Sequence, residues 1–180
     1  MKELYGITGM PLSGKTTVAE IMKENHGFTV LDMGDIVRIE MDKRGIEPGN
    51  EGSFVNKMRD KHGMDAIASL SAPYLREMIE EKDKIVVTGM RGWSEKQKFE
   101  KEIDEDLEII AVWTSRAERK DRRKERQRDE DVKGQDFRER DNREIENGVG
   151  KLIALSDHLI KNNDIDMDVL EDRVEDLVQT

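Results

Sequence analysis

Residues 9–16 read Gly-Met-Pro-Leu-Ser-Gly-Lys-Thr and fit the pattern GxxxxGK[ST]. The chemistry this spacing serves is polyphosphate binding. Gly9 and Gly14 let the backbone curl so that successive N–H groups point inward at phosphate oxygens. A helix that follows turns its positive dipole end toward the same oxygens. Lys15 has the reach for β- and γ-phosphates, and the Thr16 hydroxyl suits Mg²⁺. Gly9, Met10, Pro11, Leu12, Ser13, Gly14, Lys15, Thr16 and Thr17 are therefore the candidate nucleotide-binding residues, with Thr16 as the candidate metal ligand. Ser13 either adds a hydroxyl or only holds the loop. The flanks agree: residues 4–8 read as a short buried strand and residues 16–22 as a helix.

A second set of charged residues follows. Asp32 ends an apolar run, at the strand end where open α/β sheets gather ligands. There it would accept a proton from an attacking hydroxyl, or orient groups if the acceptor is itself a phosphate. Asp35 opens the next helix, as an N-cap, as a catalytic carboxylate near Mg²⁺ or the acceptor, or as both. Arg38 lies on that helix, where the plain alternative is a surface pair with Glu40 or Asp42. Arg91 stands between Gly89 and Gly92, small neighbours that admit a ligand, and reads as an anion-binding residue. Residues 115–143 hold nine Arg and three Lys against nine acids in a chain of net charge -10. Arg116, Arg119, Lys120 and Arg123 fall at helical spacing. Such a stripe is ordinarily a solvated face laced with pairs such as Glu118 with Arg122. Beside a phosphate loop, its arginine bias suits bidentate phosphate contact. Arg116, Arg119, Arg123 and Arg140 are the lid candidates, and Arg119 and Arg123 join Lys15, Asp35 and Arg91 as catalytic candidates, because mobile arginines stabilise charge on a transferring phosphoryl group.

The elements that must position these residues alternate between strand and helix. Strands are expected at 28–31, 84–88, 107–113 and 159–160, and helices at 36–43, 54–61 and 65–81. Pro73 predicts a kink or a fresh helix start. Met167, Leu170, Val174 and Leu177 space out an amphipathic closing helix. The expected fold is α/β, three-layered, with a mainly parallel sheet of about five strands and helices on both faces. It reads as one domain over 1–180, with a helical acceptor-binding insertion at about 36–81 and a lid at about 115–143.

Composition narrows the classes. Charged residues make up 40% and aromatics 4% of 180 residues, yet apolar clusters recur, which is a globular chain with a charged surface. The negative balance argues against direct nucleic-acid or membrane-surface binding. Cysteine is absent and the three histidines are dispersed, so neither thiolate nor histidine metal spacing exists. The ten methionines read as core filler. With no apolar run of about 18 residues and no apolar leader segment, a cytoplasmic protein is expected. Oligomeric state is not readable.

The loop GMPLSGKTT, together with Met33-Gly34-Asp35-Ile36-Val37-Arg38, Arg59-Asp60-Lys61-His62-Gly63-Met64-Asp65-Ala66-Ile67-Ala68, Val87-Thr88-Gly89-Met90-Arg91, Arg140-Asp141-Asn142-Arg143-Glu144 and Ser156-Asp157-His158-Leu159-Ile160-Lys161-Asn162, resembles nucleoside-monophosphate-kinase-type P-loop proteins. More closely it resembles an uncharacterised archaeal family, adenylate-kinase-related or dephospho-CoA-kinase-like. The resemblance covers nearly the whole chain. It implies ATP and Mg²⁺ as cofactors and a nucleotide-like acceptor whose phosphate meets Arg38. One position departs: Thr88 stands where related kinases carry an acid that supports Mg²⁺, and Asp32 or Asp35 is the nearby substitute. The reading is ATP-dependent phosphoryl transfer to a nucleotide or nucleotide-like acceptor. The alternatives are an ATP-binding switch or slow ATPase acting through a protein or ribonucleoprotein partner, and a kinase for a small hydroxylated metabolite.

Overall fold

The computed structural model describes residues 2–126 and 136–179. Five parallel strands form one sheet in the order β2-β3-β1-β4-β5. They are β1 (Glu3–Thr8), β2 (Thr29–Asp32), β3 (Lys84–Thr88), β4 (Glu108–Trp113) and β5 (His158–Lys161). The register sets Gly6 beside Val87 and Ile109, and sets Asp32 beside Thr88. Runs such as Ile85-Val86-Val87 and Ile109-Ile110-Ala111-Val112 are buried throughout, as parallel strands covered on both faces require.

The helices are α1 (Lys15–His26), α2 (Met33–Lys43), α3 (Glu51–His62), α4 (Ala66–Glu81), α5 (Trp93–Ile103), α6 (Arg116–Arg126), α7 (Phe137–Glu146), α8 (Val149–Ala154) and α9 (Met167–Val178). They cover two apolar cores. One joins α2, α3, α4, α5 and α8 through Met33, Phe54, Leu75, Phe99 and Leu152; the other joins α1 and α9 through Val18, Met22, Leu170 and Val174. Helix α4 runs unbroken from Ala66 to Glu81 with Pro73 inside it, rather than restarting there. Burial of Ala68, Ala72 and Leu75 outweighs the one backbone hydrogen bond that proline removes.

Local chemistry sets the helix starts that matter for the site. Helix α1 opens from Gly14 with no acid in its first turn, which leaves its N–H groups facing outward. Helix α2 is capped by Asp32, whose Oδ1 accepts from Gly34 N at 2.7 Å. Helix α5 begins where Glu95 Oε2 accepts from Arg91 N and Gly92 N, at 2.7 and 3.2 Å. The middle of the expected lid, residues 127–135, lies outside the described residues. Among the described residues, no helix is long and apolar enough to cross a membrane.

Candidate functional site

The loop between β1 and α1 has the curvature its glycines predict. Gly9, Leu12 and Gly14 take φ of 149°, 66° and 98°. A Cβ at Gly9 would lie 2.4 Å from Val112 O, and one at Gly14 would lie 2.2 Å from Asn162 Nδ2. Neither position accepts a side chain. Lys15 Nζ turns back on its own loop and donates to Gly9 O and Met10 O, each at 2.9 Å. Desolvation lowers its pKa to about 8, and the positive charges of Arg91, Arg140 and Arg119 push the same way against Glu144. Thr16 is exposed at the first turn of α1, and Thr17 is half-buried behind it. Ser13 Oγ is buried with no hydrogen-bond partner. An orphaned hydroxyl, a lysine folded onto carbonyls and an uncapped helix start together fit a polyphosphate. Among the described residues no cluster of three acids or histidines could cage a metal; the exposed Thr16 hydroxyl would be available to Mg²⁺ brought in on a polyphosphate.

The outer side of the loop is held from the far end of the chain. Ser13 O accepts from Thr114 Oγ1 at 3.0 Å and from Asn162 Nδ2 at 2.9 Å. Arg122 Nη1 reaches Leu12 O at 3.3 Å, and its Nη2 reaches Asn162 O at 3.0 Å. Arg119 Nη1 donates to Pro11 O at 3.2 Å and, with Nη2, grips both oxygens of Asp141 on α7 at 2.7 and 2.9 Å. Arg119 is buried in this clamp, over the Phe137 ring. Arg116 is exposed, with Nε 3.5 Å from Asp141 Oδ2. Arg123 is half-buried on the same helix. A 240 Å³ pocket opens here between Leu12, Gly14, Thr17, Arg122, Ile165 and Met167.

A second cavity, of 630 Å³, includes in its lining Arg91, Arg140 and Glu144, which act on the charge of Lys15. Asp32, Arg38 and Arg91, expected at the acceptor, all line it, and so does Arg140, expected in the lid. Asp35 does not; it is exposed and paired with Arg38 on the surface of α2. The cavity also gathers Arg59, Glu95, Arg143, Glu144 and Asn147. Arg59 on α3 donates from Nη1 to Asn147 Oδ1 at 3.1 Å, and its Nη2 lies 3.4 Å from Glu95 Oε1. Its Nε is buried without a partner. Burial raises the Glu95 pKa, against the pull of its two backbone donors and Arg59. Arg91 Nε stands 3.5 Å from Glu144 Oε2. Arg59, Glu144 and Asn162 lie inside sequence segments that already carried the family resemblance, whereas Thr114, Glu95 and Asn147 carried no signal of their own.

Comparison with known proteins agrees with this geometry. Residues 8–146 match the AAA domain family model. A UPF0200 protein of Pyrococcus abyssi is 38% identical over 162 residues, 88% of this chain and 86% of that protein. A UPF0200/UPF0201 protein of Archaeoglobus fulgidus is 37% identical over 163 residues, 89% of this chain, and the chain spans about half of that protein's length (50%). The fold is similar to shikimate kinase from Bacteroides thetaiotaomicron, at TM-score 0.61 and 14% identity over 98% of this chain and 97% of that one. It is also similar to TT1252 from Thermus thermophilus, at TM-score 0.66 and 16% identity over 99% and 96%. The fold is thus that of the P-loop kinases, and the chain belongs to the UPF0200 family.

Proposed function

We propose that this protein transfers the γ-phosphoryl group of ATP to a nucleotide or nucleotide-like acceptor. The observation that carries the reading is the 630 Å³ arginine-lined cavity, whose Arg91, Arg140 and Glu144 act electrostatically on Lys15, because a plain nucleotide hydrolase has no need of a second anion site. The donor's phosphates would draw Lys15 off Gly9 O and Met10 O and fill the loop. Its base would enter the 240 Å³ pocket beside Arg122. Thr16 would hold Mg²⁺, which neutralises charge on the β- and γ-oxygens. Arg38 and Arg91 would take the acceptor's anionic group, with Asp32 at the reacting end and Met33, Val37, Val55 and Ile67 against its apolar part. In this scheme residues 36–81 form the acceptor-binding insertion and residues 115–143 the lid of one domain. Most of the acceleration comes from placement and charge stabilisation.

ADP release measured across a panel of nucleotide acceptors tests this. The right acceptor should raise turnover at least tenfold, about 1.4 kcal/mol of barrier, and Lys15→Ala should abolish the rise. If no nucleotide raises ADP release, nucleotide-acceptor transfer is wrong. A small hydroxylated metabolite would then be the next class, with Asp32 as the base. A second reading, an ATP-driven switch or slow ATPase acting through a partner, is favoured by Thr88 beside Asp32 at the strand ends and by the outward pairing of Asp35. It predicts Mg-ATP binding with turnover that responds only to a protein partner.

A further inference from the structure

The Arg91–Glu144 pair stands where the donor loop meets the acceptor cavity. The two partners are held differently. The Glu144 side chain is 9% exposed and the Arg91 side chain 47%. Glu144 sits on α7 three residues beyond Asp141, and Arg119, which grips Asp141 and donates to Pro11 O, ties that helix to the loop. Arg91 follows β3 and has its backbone N–H fixed by Glu95, but its guanidinium meets Glu144 at 3.5 Å, the loose end of ion-pair distance. Burial confines the carboxylate more than the guanidinium.

We propose that the Glu144 carboxylate keeps bare inorganic phosphate out of the acceptor cavity by lowering the affinity of Arg91 for any phosphate. This rests on reading that cavity as the acceptor site. Phosphate approaching Arg91 must draw it from Glu144 and then lie beside a nearly buried carboxylate, so like-charge repulsion works against it. A whole acceptor offsets that cost with contacts phosphate lacks, along Met33, Val37, Val55 and Ile67. The repulsion weakens both anions alike, so phosphate alone falls below useful affinity while an acceptor with the apolar contacts still binds. A second consequence is a quiet empty site: Lys15 and Arg91 converge there, and the carboxylate offsets their mutual repulsion until substrates replace it.

Calorimetric titration with inorganic phosphate, without nucleotide, tests the proposal on the wild type, Glu144→Gln, Glu144→Ser, Glu144→Asp and the double variant Arg91→Ala/Glu144→Gln. Both neutral single variants should bind phosphate about tenfold more tightly than the wild type. Glu144→Asp should stay near the wild type, and the gain should vanish in the double variant. Either neutral variant binding phosphate no better than the wild type overturns the proposal. Persistence of the gain in the double variant also overturns it, by placing the anion in the donor loop. No turnover enters the measurement, so its outcome is separable from that of acceptor-dependent ADP release.

Discussion

Lys15 is the residue whose protonation the site most needs and most disturbs. Its pKa of about 8 lies below the ordinary 10.5, so between those values the unfolded chain holds a proton that the folded chain has lost. Its protonated form costs stability below pH 8, and that cost fades as pH rises toward 10.5. Polyphosphate binding reverses the preference, because only the ammonium attracts phosphate, and binding above pH 8 must draw a proton from solution. Mg-ATP affinity, measured by titration calorimetry from pH 7 to pH 9, should therefore fall about tenfold, the one pH unit beyond that pKa. Lys15→Ala should bind weakly with no such slope. An unchanged slope in that variant would assign the titration elsewhere. The loop itself was legible in the sequence, because its glycines and lysine act within eight consecutive residues. The position of the Lys15 ammonium was not, since burial and the charges of Arg91, Arg140 and Glu144 come from distant parts of the chain.

Among the elements, α6 shows how one pattern serves two ends. Its arginines form a helical stripe, and the sequence leaves open what the stripe faces. In the fold Arg119 points inward at Asp141 and Pro11 O, and Arg122 at Leu12 O and Asn162 O, while Arg116 stays exposed. The base of the expected lid is thereby tied to α7 and to the loop. A buried charge pair with one partner removed leaves an uncompensated ion, at a cost of about 3–5 kcal/mol. Asp141→Ala should lose about that much in urea unfolding, and Arg119→Met/Asp141→Leu should recover most of it. A loss below about 1 kcal/mol for Asp141→Ala would mean that the clamp contributes little to stability. Strands and helices themselves could be read from local periodicity to within a few residues. The exceptions are α5, α7 and α8, which the expected elements do not include, and α4, where a proline argued for a kink or a fresh start and tertiary burial carried the helix through.

For the whole molecule, the sheet order is what assembles the site, and no local pattern encodes it. Placing β1 between β3 and β4 sets the phosphate loop between Arg91 on one side and Thr114 on the other. The acceptor cavity draws on α2, α3, α5 and α7 together, which is why Arg59, Glu95 and Asn147 could not be grouped from spacing alone. A ligand that bridges so many elements should stabilise them together. Mg-ATP at 100 times its Kd adds about 2.7 kcal/mol to the folded state, and for a chain of this size a rise in Tm of roughly 5–10 °C. Thermal unfolding with and without Mg-ATP measures it, and an unmoved Tm would remove the nucleotide-binding reading altogether.

The hydrogen bond from Asn162 to Ser13 joins residues 149 positions apart in the chain. The phosphate loop therefore leaves the ribosome well before the side chain that seats it. A nascent chain carries the complete nucleotide motif long before it can use it. The order of synthesis thus acts as a timer, and nucleotide capture becomes a report that β5 has taken its place at the sheet edge.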